Sequence, residues 1–369
     1  MKIIFLKLYF LFFIFLIFLS KFSSAQNKTD KLFITIQPEY GTIVAHHEEL
    51  LPLSLYNFPN LELNIYKQNT GKELWEKNYN YPQSGISFYY SALSNKHVFG
   101  EAFAIMPFGS FTFFRHKKHE QQLKISAGIA YLTRPYDSLL NIENIAIGSH
   151  FNASIKFQYS FLYRFNENIA LSFGTSFAHF SNGAVKYPNW GLNIFSFSTG
   201  LHLKINKNPI RFEEPKIEPY IKKWHPYIWG AYGVKQNSET DHKLYNALTV
   251  GFGISRAYKY GKEWMIGSDI FYDYTDKVEF SHYNLHPSDT ELIKIGIYAG
   301  HEWNINRFSI AFQTGLYFIA YKKDNLSKRI YDRIAIRYRL FNSLHANISI
   351  KAHYAKADYI EWGLLYKFR

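Results

Sequence analysis

Phe151-Asn152-Ala153-Ser154-Ile155-Lys156-Phe157-Gln158-Tyr159-Ser160-Phe161-Leu162-Tyr163-Arg164-Phe165 alternates almost without a fault between an apolar and a polar side chain. A period of two is the signature of a β-strand with unlike faces. The odd positions are bulky and mostly aromatic, suited to lipid; the even ones are polar, suited to a wet or packed lumen. An apolar outer face on a polar inner one, rich in aromatics, marks a strand of a transmembrane β-barrel.

The same alternation recurs along the chain. From residue 33 onward about sixteen such segments can be counted. Ile334, Ile336, Tyr338 and Leu340 face away from Arg333, Arg337 and Arg339, and Ile348, Ile350 and Ala352 away from Asn347, Ser349, Lys351 and His353. Composition agrees: 19% of the 369 residues are aromatic, with 30 Tyr and 34 Phe, while mean hydropathy stays slightly polar. After the N-terminal segment no run reaches the ~20 apolar residues of a membrane helix. A soluble β-sandwich is the competing fold, and it has no use for bulky aromatics on the outward face of nearly every strand.

The chain opens with Met1-Lys2-Ile3-Ile4-Phe5-Leu6-Lys7, an apolar run to Leu19, and Ser23-Ser24-Ala25 before Gln26. Basic start, short apolar core and small residues predict a secretory signal peptide over 1–25, cleaved after Ala25, rather than a membrane anchor. The absence of cysteine excludes disulfides and thiolate metal sites. A formal charge of +13 on an exported chain suits anionic lipid headgroups or phosphorylated glycolipid rather than nucleic acid.

We expect an all-β protein: a transmembrane antiparallel barrel of about 16 strands, range 12–16. One closed barrel is favoured; two adjoining eight-stranded barrels are the second architecture. Counted back from a last strand Ile360–Phe368 ending in the periplasm, the turns at Asn342-Ser343, 304–306, 259–261 and 166–168 fall on the periplasmic side. The longer connections around 322–329, 275–291 and 134–149 fall outside. Residues 206–224, with Pro209, Pro215 and Pro219, break the pattern as a long periplasmic linker between a 26–205 half and a 225–369 half. Gly363-Leu364-Leu365-Tyr366-Lys367-Phe368 resembles the assembly signal of bacterial outer-membrane barrels, making the barrel-assembly machinery an expected partner through Phe368.

One stretch carries candidate chemistry. Ile169 to Ala178 reads as a strand that ends in His179-Phe180-Ser181-Asn182-Gly183-Ala184, and the next strand begins after Tyr187-Pro188-Asn189-Trp190-Gly191-Leu192-Asn193. Parity puts His179, Ser181 and Asn193 on the lipid-facing side, at the outer end of two strands joined by one hairpin. A serine becomes a nucleophile when histidine takes its proton and a third group fixes the imidazole tautomer. The bland alternative is a polar cluster at headgroup level, since polar groups near the interface cost only about 0–1 kcal/mol. Asn182-Gly183 permits a bend that brings the pair together, and Gly183 can expose backbone N–H groups toward an oxyanion.

The run from His179 to Ala184, followed by Pro188-Asn189-Trp190-Gly191, resembles the active-site signature of the outer-membrane lipid A 3-O-deacylase (PagL) family, over roughly 85–205. That resemblance implies a cofactor-free esterase acting on lipid A or lipopolysaccharide at the outer leaflet of the bacterial outer membrane. It also implies Ser181 as nucleophile, His179 as general base, and Asn182 with Gly183 near the oxyanion site. The family's third member is a glutamate twelve residues past the serine, and Asn193 occupies that position here. Asparagine orients an imidazole without stabilising its charge, so reduced activity or an altered substrate is expected. The family barrel is small, so 225–369 reads as about eight additional strands.

The alternative function is a non-catalytic barrel, an anion pore or a surface structural protein, its lumen lined by Lys156, Arg164, Arg333, Arg337 and Lys351. His150 has lumen parity and reads as a structural group. Asp137, Glu143, His282, His286 and Asp289 lie in outer loops without metal-ligand spacing. Glu213, Glu214 and Glu218 read as solvated linker charge.

Overall fold

The computed structural model describes residues 31–206, 209–214, 222–320, 329–354 and 356–368. The expected signal peptide, Pro215, Glu218 and Pro219 of the linker, and residues 322–328 lie outside the described residues.

Among the described residues sixteen antiparallel strands form, and they close twice. Leu32–Ile43 (β1), Phe58–Gln68 (β2), Gln83–Ser91 (β3), Ala102–His116 (β4), His119–Leu132 (β5), Phe151–Arg164 (β6), Ile169–Ser181 (β7) and Leu192–Lys204 (β8) make the first barrel. Trp224–Lys235 (β9), Tyr245–Lys259 (β10), Lys262–Asp273 (β11), Lys294–Ile305 (β12), Phe308–Ile319 (β13), Ile330–Arg339 (β14), Leu344–His353 (β15) and Lys356–Lys367 (β16) make the second. The expected single large barrel is therefore corrected to two eight-stranded ones. The physical reason is a long-range pairing: β8 returns to pair with β1, Ile36 opposite Leu201, before the chain reaches β9. Strand β16 likewise returns to β9. Closure satisfies every edge, which a lipid environment demands.

Each strand has the faces its alternation predicts. On β6, Phe151, Phe157, Tyr159 and Phe161 are exposed on the barrel exterior, while Asn152, Ser154, Lys156, Gln158 and Ser160 are buried in the lumen. At one end the strands within each barrel are joined by short turns, apart from the 69–82 connection with its helical turn Leu74–Asn78; at the other the connections are mostly long, and among them are 133–150, 182–191 and 274–293. Among the described residues no helix is long and apolar enough to cross a membrane.

The lumens are lined by buried side chains whose charges are paired. In the first barrel Lys156 Nζ lies 2.5 Å from Glu39 and 2.6 Å from Glu62, and Lys124 Nζ lies 2.5 Å from Glu62. Arg164 pairs with Glu120 at 2.7 Å. Nearer the long loops an apolar plug takes over, with Leu50, Phe99, Leu132, Ile147, Phe180, Leu192 and Ile194. In the second barrel Arg333 bridges Asp269 and Glu361, both at 2.7 Å, among Trp229, Phe271 and Tyr331. Arg337 meets Glu302 at 3.0 Å and Lys351 meets Asp358 at 2.9 Å. A buried charge is tolerable only when it is paired and hydrogen-bonded, and every cation expected from sequence in a lumen has its carboxylate.

Candidate active site

The apolar plug sets up the site. Phe180 and Leu192 are fully buried in the lumen of the first barrel and stand opposite each other across β7 and β8. Their chain neighbours must then point outward. His179 stands directly opposite Asn193, and Ser181 opposite Ala153 on β6. All three expected site residues thus occupy the lipid-facing side, each only partly buried.

His179 Nδ1 lies 2.6 Å from Asn193 Oδ1. The asparagine amide nitrogen in turn lies 3.0 Å from Nδ1 of His46, in the connection after β1, and His46 Nε2 is 2.8 Å from the carbonyl oxygen of Trp190. Ser181 Oγ takes hydrogen bonds from Asn189 Nδ2 at 3.0 Å and from the Gly183 amide at 3.2 Å. Asn189 Oδ1 is anchored by the Asn182 amide at 3.0 Å. Ser181 is therefore held by the amide of Asn189, whereas the imidazole is held by Asn193; no hydrogen bond joins the two directly. Catalytic contacts of this kind commonly tighten only when substrate binds.

The 182–191 connection is shaped by two glycines. Gly183 has φ +62°, followed by Ala184 at +63°, so the chain reverses sharply after the serine. Gly191 has φ +84°, and a Cβ placed there would meet His179 Cε1 at 2.8 Å. The imidazole lies against bare backbone, which only glycine provides. Asn182, expected near the oxyanion site, directs its side chain elsewhere: its amide donates to Ser149 Oγ at 3.0 Å and to the Lys186 carbonyl at 2.7 Å. It staples the loop, and its backbone N–H orients Asn189.

The second barrel braces the same loop. The Gln236 amide donates to the Ala184 carbonyl at 3.0 Å, and Gln236 Oε1 accepts from the Tyr187 amide at 2.8 Å. The side chain of Ile360 on β16 packs against Gly183.

Two residues of this arrangement escape the sequence reading. Asn189 belongs to the quoted Pro188-Asn189-Trp190-Gly191 run, but periodicity stops where the loop begins. His46 lies 147 residues from Asn193, and no local pattern marks it. Conversely, His150 does not enter the lumen: it precedes β6, is exposed, stacks on Tyr131 with ring centroids 5.2 Å apart and bonds the Leu132 carbonyl at 2.8 Å. Asp137 accepts from the Leu139 and Leu140 amides, both at 2.9 Å, which hold its carboxyl below the ordinary range. Asp289 pairs with Lys277 at 2.9 Å. Among the described residues no group of three or more His, Asp or Glu side chains is disposed to hold a metal.

Two closed antiparallel barrels with apolar, aromatic-rich outer faces define a β-barrel of outer-membrane type. The lipid A 3-O-deacylase (PagL) family profile matches residues 61–202, and that of the acyloxyacyl hydrolase C-terminal domain matches 223–369. The chain belongs to the lipid A 3-O-deacylase (PagL) and acyloxyacyl hydrolase-like outer-membrane family. The second barrel, read from sequence as additional strands, thus coincides with a recognised domain. No curated protein matches the chain. Among solved structures, Neisserial surface protein A is similar at 9% identity, covering 47% of this chain and 97% of its own, with a TM-score of 0.34. A mutant of the Rh. blastica porin is similar at 7% identity, covering 91% and 100%, with a TM-score of 0.18. Likenesses that slight have no bearing on function.

Proposed function

We propose that the protein is a serine esterase that removes an ester-linked (3-O) acyl chain from lipid A or a related outer-leaflet lipid. The observation that carries this reading is the 2.6 Å contact between His179 Nδ1 and Asn193 Oδ1, on the barrel exterior beside Ser181. A carbonyl oxygen accepts, so His179 carries its proton on Nδ1 and keeps a lone pair on Nε2, the state a general base needs.

In this reading Ser181 Oγ leaves Asn189 and donates its hydrogen bond to that lone pair. Oγ attacks the ester carbonyl as its proton passes to His179 Nε2. Asn189 Nδ2 and the Gly183 amide, already aimed at Oγ, then donate to the developing oxyanion. Collapse expels the lipid hydroxyl, which takes the proton from His179. Water, deprotonated by the same nitrogen, releases the acyl chain as a carboxylic acid and restores Ser181.

The surroundings fit an acyl substrate. Ala153, Ile129 and Ile105 lie in one cross-strand row leading away from Ser181. Ile129 and Ile105 are well exposed, and the small Ala153 stands directly beside the serine. Against an anion pore stand the lumens themselves, whose cations are paired and buried. Phe368, exposed at the end of β16, is available as an assembly signal.

Nucleophile trapping tests the reading. A phosphonate ester reagent should add one mass increment to the folded protein, mapped to Ser181 and absent from Ser181→Ala. Equal labelling of the variant would remove Ser181 from the mechanism.

A further inference from the structure

We propose that His46 is a positioning residue of this site, fixing the Asn193 amide so that its oxygen faces His179 and a neutral asparagine can take the orienting role of a carboxylate. This inference rests on the esterase reading above.

Heavy-atom positions alone do not distinguish the oxygen and nitrogen of an amide, nor the two tautomers of a histidine. Here the partners decide both. The Trp190 carbonyl can only accept, so the His46 Nε2 that lies 2.8 Å from it carries a hydrogen. In the neutral imidazole Nδ1 is then bare and must accept. Its partner at 3.0 Å is consequently the N–H of Asn193 Nδ2. With the nitrogen committed to His46, Oδ1 faces His179 at 2.6 Å, and His179 is protonated on Nδ1. One backbone carbonyl thus sets, through two side chains, which nitrogen of the catalytic histidine is free.

A carboxylate at position 193 would need no such help, because either of its oxygens accepts. An amide does need it. Turned over, it presents NH₂ to His179, selects the opposite tautomer and takes away the base. The ring of His46 is itself seated, its centroid 4.6 Å from that of His47, which lies 4.2 Å from Trp190. His46 is an exposed residue outside the apolar plug, so its fixed geometry serves the hydrogen-bond chain rather than the core.

The test is a double-mutant cycle on ester hydrolysis by the full chain. His46→Phe keeps a flat ring and removes the acceptor. It should lower kcat about tenfold, with KM within about twofold, since only the base is affected. His46→Asn, with an amide oxygen near the position of Nδ1, should recover most of the loss. In the Asn193→Glu background, His46→Phe should change kcat by less than about twofold. An equal loss in both backgrounds, or no loss in either, overturns the proposal. Nitrogen-15 shifts of labelled histidine give an independent readout: His179 should be the Nδ1–H tautomer in the native protein and a mixture in His46→Phe. An unchanged tautomer would count against His46 whatever the activity, whereas a hydrolysis rate unaffected by Ser181→Ala would remove the esterase reading alone.

Discussion

Asn193 and Gly191 show how closely single residues govern the site. Asn193 has its carboxamide shared between His179 and His46; truncation to alanine frees the imidazole and should lower kcat about a hundredfold, the usual worth of an oriented base. Asn193→Glu supplies the charge that an asparagine lacks and should raise kcat, measured as fatty-acid release from lipid A. A rate unchanged or lowered by the glutamate would mean that the missing charge is not limiting. Gly191→Ala forces a Cβ to 2.8 Å from the His179 ring at a φ of +84°. It should cost about tenfold or more in kcat with the barrel intact, a displacement of the base rather than a loss of fold. Strand parity made the outward facing of His179, Ser181 and Asn193 legible in the sequence, because a period of two assigns faces wherever a strand is regular. Asn189 and His46 were not legible, since both lie in connections whose backbone follows no period.

The strands show both the reach and the limit of alternation. On β6 it read correctly which side chains meet lipid, and it set Lys156 inside. It failed one residue earlier, at His150, because the strand begins at Phe151 and the backbone before it is free to turn the ring outward. Alternation also identifies a lumen cation without its partner: the Glu39 and Glu62 carboxylates that neutralise Lys156 come from β1 and β2, far along the chain. Replacing Lys156 with alanine leaves Glu39 buried without its cation, while Glu62 keeps only Lys124. The variant should unfold with about 3–5 kcal/mol less stability, read from the denaturant midpoint of the folded-barrel band on unboiled gels. An unchanged midpoint would mean that water reaches this lumen.

At the scale of the whole molecule, the number of strands was readable but their closure was not. Sixteen alternating segments look the same in one ring or two, and the choice is made by long-range pairings such as β1 with β8. The second barrel braces the candidate site of the first through Gln236, which holds both Ala184 and Tyr187 of the 182–191 connection. Gln236→Ala removes the side-chain half of that clamp and should lower kcat several-fold with both barrels still folded, a loss of about 1 kcal/mol for one hydrogen bond. Packed lumens also predict no steady ionic conductance in planar bilayers. Mass spectrometry of lipid A from an outer-membrane host producing the protein should reveal a species lighter by one hydroxyacyl chain, lost again with Ser181→Ala; lipid A of unchanged mass, with the native protein folded in the outer membrane, would contradict the account.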